Sequence, residues 1–284
     1  MADIQPPPAS LTLDMNRAIY VKVDVSSWSD NAALFKAAYN WPGSATNRID
    51  FLAANAGTAD KESVYGHFDL DSEPEMPNLK CIEVDLLSVF YALKLFIHYA
   101  RKMQRDLKAT KTAFNSKMVI TASCVGQYSF PIAPQYCAAK HGLVGLTRSI
   151  GEKLLRDDNI AVNCIMPAMV STNLPSQELI SKWPEEYLTP TSTINRAFME
   201  LIDDEGRVEQ DGKSDGVNGE IKTGQCVEGV VQKLYYREGV ESADESQVFL
   251  RKQAEWGGLW SEMYRGPGGV AKAMKEKEAN GSAA

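Results

Sequence analysis

A strand, a loop and then a helix, over residues 118–148, are the feature that most constrains how this chain folds. Residues 118–120 form an uninterrupted apolar run, which indicates a buried strand. After a loop that contains Gly126 and two prolines, apolar residues recur at helical spacing between positions 136 and 147. A strand that leads into a helix is typical of a sheet covered by helices, so the sequence predicts an α/β fold.

Three polar side chains in this stretch suggest a chemistry. Ser123 stands at the exit of the strand, while Tyr136 and Lys140 lie one turn apart on one helix face. A phenol with a pKa of about 10 is a poor base at neutral pH unless a cation such as Lys140 stabilises its phenolate. A hydroxyl from Ser123 would hold the oxygen of a carbonyl or alcohol while Tyr136 gives or takes its proton. The alternative is an amphipathic helix whose lysine reaches solvent.

Several blocks of sequence share the order and spacing of one known family. The Tyr-Lys pair is followed by HGLVGLTRS, while FLAANAG occupies 51–57, YVKVDVSS occupies 20–27 and AVNCIMPAMVSTNL occupies 161–174. With these motifs the sequence resembles the short-chain dehydrogenase/reductase family over roughly residues 18–175. Within that family it looks closest to the fungal 15-hydroxyprostaglandin dehydrogenase-like members.

The resemblance implies a Rossmann-like doubly wound parallel sheet and an NAD(P)-dependent oxidoreductase. The family's catalytic Ser, Tyr and Lys fall on Ser123, Tyr136 and Lys140. NAD is the expected cofactor, with NADP as the alternative, and no spacing of residues suggests a metal. The residues implied to contact the cofactor are Asp3, Asp24, Val25, Asn55, Ala56, Gly57, Tyr136, Lys140, Pro167, Val170 and Thr172.

Asp85 departs from the family pattern. The family's helix over 79–107 carries an Asn that anchors a water in the proton relay, and Asp85 stands at that position. An ionised carboxylate accepts hydrogen bonds but cannot donate them as an amide does. Asp85 is therefore expected to be a catalytic residue with an altered relay, the alternative being a surface carboxylate. Asn55 likewise has an alternative role, as a turn former.

The start of the chain lacks the glycine-rich turn that holds a pyrophosphate in Rossmann-type domains, since its first glycine is Gly43. MADIQPPP resembles the end of the family's second strand, so Asp3 is expected beside the adenosine ribose, where an acidic residue favours NAD. The alternative is an untethered Asp in a frayed terminus. We expect an N-terminally shortened fold with weakened or lost cofactor binding, unless another segment or a partner fills the gap, or the protein begins earlier.

Length, charge and cysteine content narrow the class of protein. A chain of 284 residues and 31.3 kDa is the size of one α/β domain. Its net charge of −7 leaves no polybasic face for nucleic acid or an anionic membrane. Five cysteines without metal-ligand spacing indicate thiols in a reducing compartment. With no apolar stretch of about 18 residues and no signal peptide, we expect a cytoplasmic protein.

The rest of the chain is expected to complete one domain over residues 1–284. Residues 1–18 are predicted to be irregular, and residues 58–78 are predicted to form a solvated loop. Residues 173–222 are predicted to form a lid over an apolar or aromatic substrate, and the last part of this lid, 203–220, is predicted to be a mobile loop. Residues 265–284 are expected to form a tail. Thr223 is expected to cap a helix that buries Cys226 and Leu234, and QVFL, at 247–250, to form the last strand. The predicted strands are 19–25, 49–54, 117–121 and 161–166, and the predicted helices are 29–40, 79–107 and 134–157.

Three functions remain open from the sequence. The leading one is an NAD(P)-dependent oxidoreductase that interconverts a secondary alcohol and a ketone on an apolar or aromatic, secondary-metabolite-like substrate. The second is a cofactor-independent isomerase, cyclase or lyase that uses the Tyr-Lys pair, and the third is a non-catalytic scaffold subunit. By analogy with the family, a homodimer or homotetramer through the helices near 79–107 and 134–157 is expected. Aromatic residues at 256, 260 and 264 are predicted to pack against the core or another subunit.

Overall fold

The computed structural model describes residues 1–7, 14, 17–42, 47–108, 114–255 and 257–260. The turn at Gly43, the tail 265–284 and two of the three aromatic positions, 256 and 264, lie outside those residues. The chain divides into two compact units, Met1–Glu238 and Gly239–Ala284. The prediction of one domain over the whole chain stays a prediction.

A five-stranded sheet of order β3-β4-β5-β6-β7 forms the centre of the first unit. Its first four strands are parallel, and β7 pairs antiparallel with β6. Strands β4 and β5 are buried along almost their whole length, which explains why their sequences are apolar without alternation. The strands are β1 (Ala2–Asp3), β2 (Val21–Lys22), β3 (Phe51–Ala54), β4 (Ser116–Thr121), β5 (Ile160–Pro167), β6 (Cys226–Val230) and β7 (Lys233–Tyr236).

Helices cover both faces of this sheet. Because side chains alternate along a strand, Met118 and Ile120 of β4 pack into one core and Val119 packs into the other. Helices α1, α3 and α4 cover the first face, and α6 covers the second. The predicted Rossmann-like α/β fold is therefore confirmed. The helices are α1 (Trp28–Tyr39), α2 (Lys80–Ile82), α3 (Ser88–Lys108), α4 (Pro134–Asp158), α5 (Gln177–Lys182), α6 (Thr191–Ile202) and α7 (Glu245–Ala254).

The N-terminal strands form a separate two-stranded parallel sheet. Ala2 pairs with Val21, and Asp3 pairs with Lys22. The expectation of an irregular residue range 1–18 is wrong at this point, and so is the alternative of an untethered Asp3, because both strand residues are paired. Among the described strands, none pairs with the outer edge of β3, which has β4 as its only neighbour. Within the described part of the chain the sheet is thus interrupted between β2 and β3.

The predicted long helix near 79–107 begins and ends where the sequence indicates, but it is not uniform. Between α2 and α3 lies one turn of π-helix, Glu83–Leu87. A π turn holds one more residue than an α turn, and such turns are frequent at functional sites. The turn contains Asp85, which is completely buried, so the alternative of a surface carboxylate at this position is wrong.

Two sequence predictions near the carboxyl terminus are wrong. Cys226 and Val227 belong to β6 and not to a helix, because both are buried in register with Cys164 and Ile165 of β5. Residues 247–250 belong to α7 and not to a strand. The Asp244 carboxylate accepts a hydrogen bond from the Gln247 backbone N–H at 2.9 Å and so caps the start of this helix.

The segment over 203–222 is fastened by buried polar side chains. The Lys222 ammonium donates to the backbone carbonyl oxygens of Gly206, Val217 and Glu220. Tyr236 on β7 donates its hydroxyl to the buried Glu200 carboxylate of α6 at 3.1 Å. These bonds connect the loop to itself and α6 to β7, while mobility of the loop stays a prediction.

The hairpin between β6 and β7 stores backbone strain at Val231. Its φ is +53°, a left-handed conformation that a β-branched residue rarely adopts. The turn is held by the Thr193 hydroxyl, which donates to the Val231 carbonyl at 2.6 Å, and by the Val231 N–H, which donates to Thr189. We therefore expect Val231→Gly to raise the free energy of unfolding by about 1 kcal/mol, measured by urea denaturation. Val240→Gly, at a 92% exposed position, is the control; an equal gain there would contradict the strain argument.

Candidate active site

The predicted catalytic residues lie at the carboxyl ends of β3, β4 and β5. These strands are parallel, so the segments that follow them meet at one edge of the sheet, where α/β proteins bind ligands. Ser123 follows β4 directly, and Tyr136 and Lys140 belong to the first two turns of α4. Ser123 lies close enough to Tyr136 to lower the pKa of its phenol, and Lys140 Nζ lies 5.3 Å from the centre of the Tyr136 ring. The structure therefore brings the three residues together.

Gly126 allows the Ser123 loop to lie against α4. A Cβ atom at Gly126 would be 2.8 Å from the Lys140 carbonyl oxygen and 2.9 Å from Cγ2 of Val144, and real Cβ atoms do not approach that closely. The Ser123 hydroxyl in turn accepts a hydrogen bond from the Val125 N–H at 3.4 Å and caps the short 3-10 turn Cys124–Gly126. The glycine thus sets the distance between the serine loop and the helix that carries Tyr136.

We expect Gly126→Ala to lower the free energy of unfolding by about 1–3 kcal/mol, because the backbone of the loop must move off α4. The same displacement moves Ser123 away from Tyr136, so turnover falls as well. Urea denaturation and a steady-state assay measure the two effects. The control is Gly145→Ala on the same helix, where a Cβ meets nothing within 4 Å and alanine favours the helix. If the two variants behave alike, the close contact does not matter.

The start of α4 is capped by a residue from a distant loop. Ala133 stands at the cap position without a side-chain acceptor. Instead the Asp60 carboxylate accepts hydrogen bonds from the backbone N–H groups of Gln135, at 3.1 Å, and of Tyr136, at 2.8 Å. A negative charge at a helix N-terminus is favourable. Asp60 belongs to the predicted solvated loop over 58–78, and its role as a cap was not predicted, since nothing in the sequence shows that this loop reaches α4.

Lys140 is held in place inside the protein. Its side chain is 4% exposed, and its Nζ donates to the Thr121 carbonyl oxygen at 3.0 Å. The same Nζ lies 3.0 Å from Asp85 Oδ2. A Cβ on Gly57 would be 3.1 Å from that Oδ2 and 3.6 Å from the ammonium, so the backbone after β3 passes close over the ion pair. The alternative in which the Lys140 side chain reaches solvent is therefore wrong.

Burial dominates the electrostatics of Tyr136. Removal from water raises the pKa of its phenol to about 12, and the hydrogen bond with Ser123 opposes that rise in part. The negative charge of Asp85 raises the pKa further. The phenol is therefore protonated at neutral pH in the protein without ligands, and this state suits a proton donor.

The residues expected to contact a cofactor fall into two groups. Asn55, Ala56 and Gly57 are exposed at the end of β3, beside the Lys140 ion pair, and Asn55 accepts a hydrogen bond from the Thr121 hydroxyl at 2.8 Å. They fit the nicotinamide half of a dinucleotide, because their backbone is open and the glycine permits a close approach. Before β3, the described residues include no glycine-rich turn, so the pyrophosphate half is not matched in that part of the chain.

The acidic residues expected near the adenosine have partners of their own. Asp24 accepts hydrogen bonds from the Ser26 backbone N–H, at 2.9 Å, and from the Ser26 hydroxyl, at 2.6 Å, which hold the pKa of its carboxyl below the usual value. The Asp3 carboxylate accepts from the Gln5 N–H at 2.9 Å. The Val25 carbonyl accepts from the Asn31 amide at 2.7 Å. The described contacts do not connect these residues to Ser123, Tyr136 or Lys140.

The segment after β5 borders an open cavity of about 650 Å³. Pro167 is the last residue of β5, and Val170 and Thr172 follow it as predicted; Val170 lines the cavity and Thr172 is exposed. The other walls come from residues 185–191 and from the turn at 231–232. The cavity therefore lies between the segment after β5 and the β6-β7 hairpin.

The cysteines form no disulfide bonds with one another. All five are free; Cys81, Cys164 and Cys226 are buried, and the other two are partly buried. Burial raises the pKa of the Cys81 thiol to about 12. In the described residues no cluster of His, Cys, Asp and Glu side chains could hold a metal ion. Over the same residues, no helix has the length and apolar character needed to cross a membrane.

Comparisons with known proteins agree with this geometry. The sequence model of the short chain dehydrogenase family matches residues 7–182. The chain belongs to that family. It is 28% identical over 213 residues to the short-chain dehydrogenase/reductase prx6 of Penicillium rubens, covering 74% of this chain and 64% of that protein. It is 30% identical over 200 residues to prx7 of the same organism, covering 69% and 67%.

A solved structure shows the same fold. The 3-ketoacyl-(acyl-carrier-protein) reductase of Brucella melitensis, crystallised with NADH, aligns with a TM-score of 0.53 and 21% identity over 66% of this chain and 72% of that chain. The alignments to the curated relatives span about two thirds of their length. The predicted family is thus confirmed, and the likeness to 15-hydroxyprostaglandin dehydrogenases stays a prediction.

Proposed function

We propose that this short-chain dehydrogenase is a nicotinamide-dependent oxidoreductase that interconverts a secondary alcohol and a ketone. The observation that carries the proposal is the position of Ser123 and the protonated Tyr136 beside the buried Lys140, whose Nζ lies 5.3 Å from the centre of the Tyr136 ring. A donor hydroxyl next to an orienting hydroxyl at the carboxyl edge of a parallel sheet suits proton transfer to a carbonyl oxygen.

Each residue of the site has one task in this reaction. In reduction, Ser123 orients the ketone oxygen, Tyr136 gives it the hydroxyl proton, and a hydride adds to the carbonyl carbon. The reduced nicotinamide supplies that hydride when bound. Lys140 holds a fixed charge beside the phenolate that forms, which solvent then reprotonates. Residues 55–57 together with Pro167, Val170 and Thr172 would hold the cofactor, as the family resemblance implies.

NAD is the proposed cofactor, because Asp3 is the acidic residue expected beside the adenosine ribose and would repel a 2′-phosphate. For the substrate we propose an apolar or aromatic secondary-metabolite-like ketone or alcohol. Support comes from the exposed apolar side chains of the predicted lid, Leu174, Leu179 and Trp183, which are 49%, 43% and 37% exposed. An apolar ligand would cover such side chains.

A second candidate is a cofactor-independent isomerase, cyclase or lyase. Its support is the position of Lys140 Nζ 5.3 Å from the centre of the Tyr136 ring, since this pair can act without a nucleotide. Tyr136 and Lys140 would then move a proton without hydride transfer. A non-catalytic scaffold is less well supported, since it has no use for a serine, a tyrosine and a lysine brought together.

Titration of the protein with NADH and with NADPH, followed by nucleotide fluorescence, tests the proposal. We expect saturable binding that favours NADH, and turnover of an aromatic ketone with one NADH consumed for each alcohol formed. Absence of binding by the folded protein would remove the oxidoreductase and leave the second candidate. A preference for NADPH would contradict the role of Asp3.

The assembly and the location are also proposals. We propose a homodimer or homotetramer through α3 and α4, supported by the exposed apolar side chains of Leu87 and Phe90 at the start of the long helix. Sedimentation equilibrium would reveal it, and a monomer at micromolar concentration would contradict it. The five free thiols support a reducing compartment, so we propose a cytoplasmic protein.

A further inference from the structure

The Asp85 carboxylate is buried directly against the charged group of the site. It is 0% exposed, its Oδ1 accepts a hydrogen bond from the Thr58 backbone N–H at 2.7 Å, and its Oδ2 lies 3.0 Å from Lys140 Nζ. Among the described residues, Oδ2 has this ion-pair contact but no partner with hydrogen-bond geometry. The π turn between α2 and α3 places this side chain at the base of the site and not on the helix surface.

A carboxylate in such a place exists in one of two forms, which differ by one unit of charge. Burial raises the pKa of Asp85, while the Lys140 ammonium and the Thr58 N–H oppose that rise. A buried ammonium with an ionised partner is much less costly than one without. The ion-pair distance of 3.0 Å at Oδ2 and the hydrogen bond on Oδ1 favour the ionised form.

We propose that Asp85 neutralises the Lys140 ammonium inside the site, and that this neutralisation holds Tyr136 in its protonated form, the form that can give a proton but cannot take one. With the ion pair in place, the phenol faces a dipole and not a net positive charge, so its phenolate gains little stabilisation. Asp85 is a positioning residue in this account, since it acts through Lys140.

The other groups around Tyr136 do not cancel this effect. Asp60 from the loop after β3 faces the same region with a negative charge, and the thiols of Cys81 and Cys124 are kept neutral by burial. Ser123 is the group that opposes the rise in the pKa of Tyr136, through its hydrogen bond. Lys140 is thus the cation of the site, and Asp85 is the group that offsets it.

This role of Asp85 rests on the proposed function, and it predicts which direction of the reaction is favoured at neutral pH. Ketone reduction uses the protonated phenol, whose proton goes to the carbonyl oxygen, and so proceeds at neutral pH. Alcohol oxidation needs the phenolate to accept the hydroxyl proton, and so is confined to alkaline pH. The assignment of charge itself requires neither substrate nor cofactor, and it can be measured by itself.

Asp85→Asn tests the charge. The tyrosinate absorbance of Tyr136 is obtained as the difference between each protein and the same protein carrying Tyr136→Phe. We expect Asp85→Asn to lower the midpoint of that difference titration by at least about one pH unit, because the ammonium is no longer offset. The matched control is Glu83→Gln, which removes an exposed carboxylate from the same π turn and should leave the midpoint unchanged. An unchanged midpoint in Asp85→Asn would mean that Asp85 is already neutral, and would overturn the proposal.

Two further measurements separate the possible failures. If Asp85→Asn does not fold, infrared spectra of the unaltered protein at neutral pH decide: we expect no carbonyl band from a protonated carboxyl group, and such a band would overturn the proposal. If the protein turns out to bind no nucleotide, the titration still reports the ion pair, so failure of the proposed function and failure of this inference are distinguishable. Where turnover is measurable, the alkaline limb of alcohol oxidation should shift with the titration.

Discussion

Tyr136→Phe is expected to reduce turnover by a factor of about 10²–10⁴ without altering the fold. The substitution removes one hydroxyl group, and burial keeps that phenol protonated at neutral pH, as a proton donor requires. The ring remains, so it still fills its place beside Lys140 in the site. Steady-state kinetics with an aromatic ketone and NADH would show the loss in kcat.

Binding and stability distinguish a chemical role of Tyr136 from a structural one. The NADH dissociation constant and the urea midpoint of Tyr136→Phe should stay close to those of the unaltered protein. Tyr39→Phe is the matched control, because that hydroxyl bonds to Asp106 on α3 at 3.4 Å, far from the site. Equal losses of turnover in the two variants, or a Tyr136→Phe protein that keeps its activity, would contradict the assignment of the proton donor.

The sheet and the helices beside it could be predicted because each element has a clear hydrophobic pattern in its sequence. Strands β4 and β5 are apolar on both faces, and α4 repeats its apolar residues at helical spacing up to Leu154. The same logic failed for Cys226, whose neighbours Val227 and Val230 fit a helix face as well as a buried strand. In a run of five residues the hydrophobic periodicity cannot distinguish a helix from a buried strand. The pairing of these residues with β5 is what makes them a strand.

The catalytic set, including Asp85, could be predicted, but the burial of the charges that control it could not. Ser123, Tyr136 and Lys140 lie within 18 residues of each other, and local geometry is enough to bring them together. Asp85 and Asp60 come from other parts of the chain, one through a π turn and one through a loop. A single sequence does not show whether such an aspartate is buried, and burial is what gives both their importance here.

The N-terminal region shows what a resemblance can and cannot supply. It indicated that Asp3 belongs to a strand, and the pairing of Asp3 with Lys22 agrees. The resemblance could not indicate that β1 and β2 form a separate sheet, because strand pairing depends on contacts between distant parts of the chain. One alternative was that another segment of this chain fills the place beside β3. Among the described residues, no strand lies there.

Lys140→Met is expected to be the most destabilising substitution in the site, lowering the free energy of unfolding by about 3–5 kcal/mol. It removes the cation 3.0 Å from Asp85 Oδ2 and leaves a completely buried carboxylate without its counter-charge. The Thr121 carbonyl loses a donor as well. Because total stability is of the order of 5–15 kcal/mol, the loss would be plain in urea denaturation.

The pH dependence of that loss identifies its cause. Burial raises the pKa of the Asp85 carboxyl, and removal of the ammonium raises it further. A group whose pKa is raised in the folded state stabilises below its unfolded pKa and loses that contribution as the pH rises through the folded value. The Lys140→Met protein should therefore be closest to the unaltered protein in acid, where Asp85 is protonated, and fall behind as the pH rises. Combination with Asp85→Asn should restore much of the stability at neutral pH.

Lys153→Met on the same helix is the control for the loss of a lysine. Its ammonium pairs with Asp157 at 2.6 Å, and both side chains are substantially exposed, so the pair contributes less than about 1 kcal/mol. Should Lys140→Met cost no more than Lys153→Met, and should the difference not vary with pH, then Asp85 is neutral in the folded protein. In that case Tyr136 would face an uncompensated cation and would act as a base at lower pH than its burial implies.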